Sequence, residues 1–112
     1  VAFNQPRGQE MYSFGYPAAA PYDGSALIYC SSTAFDDLLL SNDLGLGCDM
    51  TGGSSGGPWF LSFNEATGTG VQNSVNSFKY SLFPGWMFGP YFGTDAQNLY
   101  HAAAASTRFA LS

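Results

Sequence analysis

Apolar and polar residues alternate along this chain in short runs, each closed by a glycine, proline or Asx turn signal. Glu10-Met11-Tyr12-Ser13-Phe14-Gly15-Tyr16 is such a run, and Pro17 halts it. A loop from Pro17 follows, and Asp23-Gly24 marks its last turn. Ala26 to Cys30 is apolar enough to face a core as a strand. Ala34-Phe35-Asp36-Asp37-Leu38-Leu39-Leu40 fits a helical turn or a strand edge, because periodicity does not arbitrate over so few residues. Leucine and glycine alternate from Asp43 to Asp49, and the aromatic-rich run from Pro58 to Asn64 predicts a strand. Asn64 to Gly70 predicts a hairpin connection, followed by a two-faced strand over Val71 to Phe78. Phe83 to Pro90 predicts an aromatic loop, and Tyr91-Phe92 a short strand. Thr94 or Asp95 then caps a helix running to about Arg108. Many short strands before one helix predict an all-β barrel or sandwich, with Val1-Ala2-Phe3 as the stub of a further strand.

Composition narrows the picture. A length of 112 residues predicts one domain, large enough for a single core. The hydrophobic content of 46% and aromatic content of 17% suit a packed β domain. Nucleic acid is not expected as a partner, since the net charge is -5 and the basic residues Arg7, Lys79 and Arg108 are scattered. No apolar run approaches the roughly 20 residues that span a bilayer, so no membrane association is expected. Val1 opens directly on strand-like sequence, and no signal peptide is expected within it. One histidine and two cysteines without short spacing predict neither a metal site nor a cofactor. Cys30 and Cys48 permit either one internal bridge or two buried thiols. Asp36 and Asp37 point apart on a strand and read as solvated loop charges.

The stretch richest in chemistry is Cys48-Asp49-Met50-Thr51-Gly52-Gly53-Ser54-Ser55-Gly56-Gly57-Pro58. Four glycines bracket two serines, which lets a hydroxyl sit on a tight turn beside main-chain N–H groups. A Gly-x-Ser-x-Gly elbow needs a helix after the serine, yet Pro58-Trp59-Phe60-Leu61-Ser62-Phe63 reads as a strand. A phosphate-cradling loop needs a lysine after the glycines, and none is there. A Gly-x-Ser-Gly-Gly-Pro turn between two strands resembles the nucleophile loop of trypsin-like (chymotrypsin-fold) serine proteases. The resemblance extends over nearly the whole chain and is greatest to secreted bacterial and fungal members.

That resemblance implies the second six-stranded antiparallel Greek-key barrel of the fold with its C-terminal α-helix, residues 1–112 forming this single domain. It makes Ser55 the nucleophile and the N–H groups of Gly53 and Ser55 the oxyanion hole. Val75-Asn76-Ser77-Phe78-Lys79 stands where the family holds the substrate backbone, which sets Ser77 beside the cleft and Phe78 on the groove floor. Asp49 falls where trypsin-type members carry a pocket carboxylate, with Met50, Thr51 and Asn76 as further pocket walls. Ser54 stands where many members carry an aspartate that pairs with a freed N-terminal amine, so activation by that ion pair is not expected. Together with the low lysine content and the Gly/Ser/Asn-rich loops, the resemblance favours a secreted, extracellular protein with Cys30 and Cys48 oxidised.

A serine needs an imidazole to take its proton and a carboxylate to orient that imidazole. The lone His101 lies within the predicted C-terminal helix, away from the nucleophile in this fold. In the family both groups come from the N-terminal barrel, to which nothing in this chain corresponds. The resemblance therefore implies a serine endopeptidase represented by its C-terminal half, acting on polypeptides with an N-terminal barrel as partner and nearly inactive alone. The alternatives are a non-catalytic binding or self-assembling β-barrel module, and a carbohydrate-binding β-sandwich drawing on Trp59, Trp86 and the tyrosines.

Overall fold

A computed structural model describes residues 1–36, 43–79 and 85–105. Seven strands and one helix follow in order: β1 (Glu10–Gly15), β2 (Ile28–Thr33), β3 (Phe35–Asp36), β4 (Leu44–Gly47), β5 (Pro58–Asn64), β6 (Thr69–Val75), β7 (Trp86–Gly89) and α1 (Thr94–Ala105). They form a four-stranded sheet ordered β2-β1-β5-β6 and a three-stranded sheet ordered β3-β4-β7, with antiparallel pairing throughout. Two seams bring these sheets together. On one side Ala34 alone separates β2 from β3, and its N–H donates to the Gln9 carbonyl at 2.8 Å. On the other side the N–H groups of Ser77 and Phe78, just past β6, donate to the Phe88 carbonyl in β7 at 2.9 and 3.2 Å, and Phe88 returns an N–H to Phe78 at 2.8 Å. The result is the half-barrel of the expected fold, with its ladder interrupted at both seams instead of running as one ring among the described residues.

Alternation explains which faces are buried. Met11, Ser13 and Gly15 of β1 point inward, while Tyr12 and Phe14 point outward and pack against Tyr29 and Phe63 at centroid distances of 4.9 to 6.0 Å. Trp59 and Leu61 do the same from β5, and with Leu44, Leu46 and Met50 they form the core. The β5–β6 register slips between Leu61 and Asn64, where Ser62 adopts a φ of 52°. This bulge keeps Leu61 buried and ends the pairing in a turn that Asn64 closes by accepting the Gly68 N–H at 2.8 Å.

Several boundaries differ from the sequence expectation. Strand β2 begins at Ile28 and continues to Thr33 because β1 pairs with it residue by residue from Gly15↔Ile28 to Glu10↔Thr33. Trp86–Gly89, expected as loop, is strand β7 paired to β4. Tyr91-Phe92 is not a strand; the Tyr91 hydroxyl donates to the Gln5 carbonyl at 2.6 Å and its ring carries the Arg7 guanidinium 4.2 Å from the centroid. Val1–Phe3 is not a strand either, although the Ala2 N–H reaches the Gln72 carbonyl at 2.8 Å. Phe35–Asp36 settles the first residues of the ambiguous stretch as a strand, and Asp36 pairs with Arg7 at 2.9 Å. Asp37, Phe83 and the helix end at Arg108 lie outside the described residues. Cys30 and Cys48 form a disulfide across 5.3 Å between Cα atoms, tying β2 to the residue after β4. No helix among the described residues is long and apolar enough to cross a membrane.

Candidate active site

Strand β4 delivers the chain to Cys48, and β5 takes it up again at Pro58. Between them the backbone makes two successive turns, closed by Ser54 N–H to Thr51 O at 3.4 Å and Gly57 N–H to Ser54 O at 3.1 Å. Glycine is required here for two separate reasons. Gly53 has a φ of 100°, a conformation L side chains rarely adopt, and a Cβ on Gly57 would lie 1.8 Å from the Phe14 carbonyl oxygen. The loop is thus pressed against the end of β1. A strap from 17–20 holds its other side, with Ala18 and Ala19 donating to Gly52 O at 2.7 and 3.0 Å and the Thr51 hydroxyl donating to Ala19 O.

Asn76 fixes the loop from within. Its side chain is almost fully buried and makes four hydrogen bonds: Oδ1 accepts from the Ser13 hydroxyl at 2.5 Å and Trp59 Nε1 at 2.7 Å, and Nδ2 donates to the Phe14 and Ser54 carbonyls, each at 3.0 Å. Its backbone adds two more, donating to Gly57 O at 2.7 Å and accepting from Gly56 N–H at 2.9 Å. One amide therefore joins β1, β5 and both sides of Ser55. Ser54 is buried as well, and its hydroxyl donates to Thr51 O at 2.8 Å.

Ser55 is exposed at the tip. The N–H groups of Gly53 and Ser55 donate to no group among the described residues, unlike those of Ser54, Gly56 and Gly57. Gly53 and Ser55 are both exposed, so these two N–H groups beside an exposed hydroxyl offer donors to an incoming oxygen. The serine lines a cavity of about 130 Å³, walled by Thr51, Ser77, Phe78, Lys79 and Met87. Phe78 is held there by stacking on Phe88, with centroids 5.3 Å apart and planes at 13°. Lys79 Nζ donates to the Cys48 carbonyl at 2.7 Å. Burial pushes this ammonium below the usual lysine value, and the charge of Asp49 opposes that shift.

The remaining sequence candidates fall beside this cavity. Asp49 is exposed and accepts from the Tyr22 hydroxyl at 3.0 Å. That hydrogen bond is the main cause of a raised Tyr22 pKa, followed by burial and by the carboxylate's charge. Asp49, Met50, Thr51 and Lys79 line a neighbouring cavity of about 510 Å³ with Ala20 and Pro21. Met50 itself is fully buried in the core. His101 is exposed on α1, its ring contacts among the described residues being Phe3 and Tyr100. Among the described residues no group of three or more His, Cys, Asp or Glu side chains lies close enough to hold a metal ion. Sequence reasoning did not foresee the clamp made by Asn76 or the position of Lys79. The signal for Lys79 was its place directly after Ser77-Phe78 in a chain with only three basic residues.

No protein-family model matches the chain, and no curated protein does. Two solved structures are similar to it. One is a thermostable serine protease, AL20, from an extremophilic microorganism, with 51% identity over 95% of this chain and a TM-score of 0.84. The other is the protease Anisep from Arthrobacter nicotinovorans, with 49% identity over 95% of this chain and a TM-score of 0.85. This chain covers 48% of each, so it spans about half their length.

Proposed function

The chain belongs to the trypsin-like serine protease family as its C-terminal half, and from that premise we propose that it supplies the nucleophile of a serine endopeptidase. Residues 1–112 form one domain in this reading, and an N-terminal barrel provides the histidine and aspartate. The Ser55 hydroxyl loses its proton to that imidazole as its oxygen bonds to a peptide carbonyl carbon. The carbonyl oxygen becomes an oxyanion held by the N–H groups of Gly53 and Ser55. The C–N bond then breaks, the imidazolium protonates the leaving amine, and an ester to Ser55 remains. Water, deprotonated by the same imidazole, hydrolyses the ester and restores the hydroxyl.

The observation that carries this reading is the pair of amides without internal acceptors flanking an exposed serine, on a turn that only glycine permits. Ser77 and Phe78 form the substrate groove, and Thr51 joins them at its mouth. Asp49 belongs to the outer continuation of that groove, with Met50 buried behind it. Asn76 acts as a positioning residue, because its side chain is committed to holding the loop. The disulfide supports an oxidising compartment and hence a secreted, extracellular protein.

The test is hydrolysis of an unfolded protein substrate by this chain joined to its N-terminal half. Activity that falls by roughly 10⁴ or more in Ser55→Ala supports the proposal, and undiminished activity overturns it.

A further inference from the structure

The cavity beside Ser55 has one feature that the nucleophile's chemistry does not use. Of the residues lining it, Lys79 alone carries a charge. The other walls are apolar, as in Phe78 and Met87, or hydroxyl-bearing, as in Thr51 and Ser77. A volume of about 130 Å³ is small beside the 300 Å³ and more of drug-sized pockets, and it suits a single side chain. From this we infer that Lys79 selects substrates with a glutamate or aspartate as the residue whose carbonyl Ser55 attacks.

Three observations converge on that substrate class. The Cys48 carbonyl, 2.7 Å from Nζ, orients the ammonium but is itself uncharged. Cys48 is in turn fixed by the disulfide to β2, so the cation's anchor is rigid. Partial burial disfavours the charged amine, which shows in its lowered pKa, and a carboxylate that displaces water there restores the lost stabilisation. Asp49 is the competing group. Its carboxylate shares the neighbouring cavity with Lys79, where the Tyr22 hydroxyl engages it and its charge acts on the ammonium, but it does not line the cavity of Ser55. A basic substrate side chain entering beside Ser55 therefore meets a like charge, which disfavours it.

The inference rests on the reading of Ser55 as nucleophile, and the experiment separates the two. The complete protease is given a peptide series identical except for Glu, Gln, Leu or Lys on the acyl side of the scissile bond, and active sites are titrated with a fluorophosphonate. Glu is expected to exceed Gln in kcat/KM by roughly ten- to hundredfold, the range of one charge-assisted hydrogen bond, with Lys the poorest. Lys79→Gln is expected to bring the Glu/Gln ratio close to unity, and Lys79→Glu to invert the order of Glu and Lys. Stoichiometric titration with equal cleavage after Glu and Gln, or a preference for Lys, overturns the role of Lys79 while leaving the nucleophile intact. A Glu/Gln ratio that survives in Lys79→Gln overturns it equally. Failure of the wild-type protein to titrate overturns the nucleophile, and this inference with it. A wild-type profile without a Glu preference overturns the role of Lys79 even where a variant does not fold.

Discussion

Replacing Asn76 with alanine removes a side chain that is almost fully buried and does not line the Ser55 cavity, yet it is expected to be among the most damaging changes near the site. The substitution deletes four hydrogen bonds and leaves their partners, the Trp59 indole N–H, the Ser13 hydroxyl and the Phe14 and Ser54 carbonyls, without this partner in a buried setting. At about 1 kcal/mol net for each bond the loss is about 4 kcal/mol, and orphaned buried groups push it higher. Against a total stability of about 5–15 kcal/mol that is a large share. Asn76→Asp is a sharper probe because its shape is retained. One oxygen can still accept from Ser13 and Trp59, but the other then faces two carbonyl oxygens and must carry a proton to bond either. Its folded-state pKa is therefore raised above the unfolded value of about 3.9, so the folded form binds more protons and stability falls as pH rises beyond that value. Urea unfolding of the complete protein, in a Ser55→Ala background, measures both effects. A loss below about 1 kcal/mol for Asn76→Ala, or an Asn76→Asp protein as stable at pH 7 as at pH 4, would refute the reasoning.

Three further outcomes are expected. Cys30→Ser with Cys48→Ser opens an 18-residue separation and should lower stability by about 3 kcal/mol, read as a shift in the denaturant midpoint; an unchanged midpoint contradicts the structural role of the bridge. The Glu/Gln cleavage ratio should fall at low pH as the substrate carboxylate protonates near pH ~4.3. It should fall again at high pH as Lys79 loses its proton, beginning below the ordinary lysine range because burial lowers its pKa; a ratio flat through the alkaline limb contradicts this. Gly57→Ala places a methyl group 1.8 Å from the Phe14 carbonyl oxygen and should cost about 3 kcal/mol or more, with loss of fluorophosphonate reactivity; near-wild-type stability contradicts the close packing of loop and strand.

Much of this architecture was legible from residue order alone. Pro58–Asn64 is both the expected and the observed strand, since aromatic alternation and a flanking proline and asparagine mark it locally. The turn at Cys48–Pro58 was legible because glycine spacing reports backbone conformation directly. What escaped was decided across the chain. Trp86–Gly89 reads as a loop because Pro84 and Gly85 precede it and Gly89-Pro90 ends it, yet pairing with β4 makes it a strand. The limits of β2 come from its partner β1, which local pattern does not encode. Asn76 reads as a pocket wall from its place in the sequence, whereas its hydrogen bonds depend on Ser13 and Trp59, 63 and 17 residues away. Asp49 reads as a pocket wall from its linear position and the folded loop puts it in the next cavity, whereas Lys79, whose position sequence reasoning did not foresee, lines both cavities.

The most direct examination of the central idea is peptide mapping by mass spectrometry after a fluorophosphonate reacts with the complete native protein. One adduct per molecule, confined to the hydroxyl of Ser55 and lost in Ser55→Ala, is the predicted result. An active protein whose adduct sits on another residue, Ser54 or Ser77 included, would contradict it.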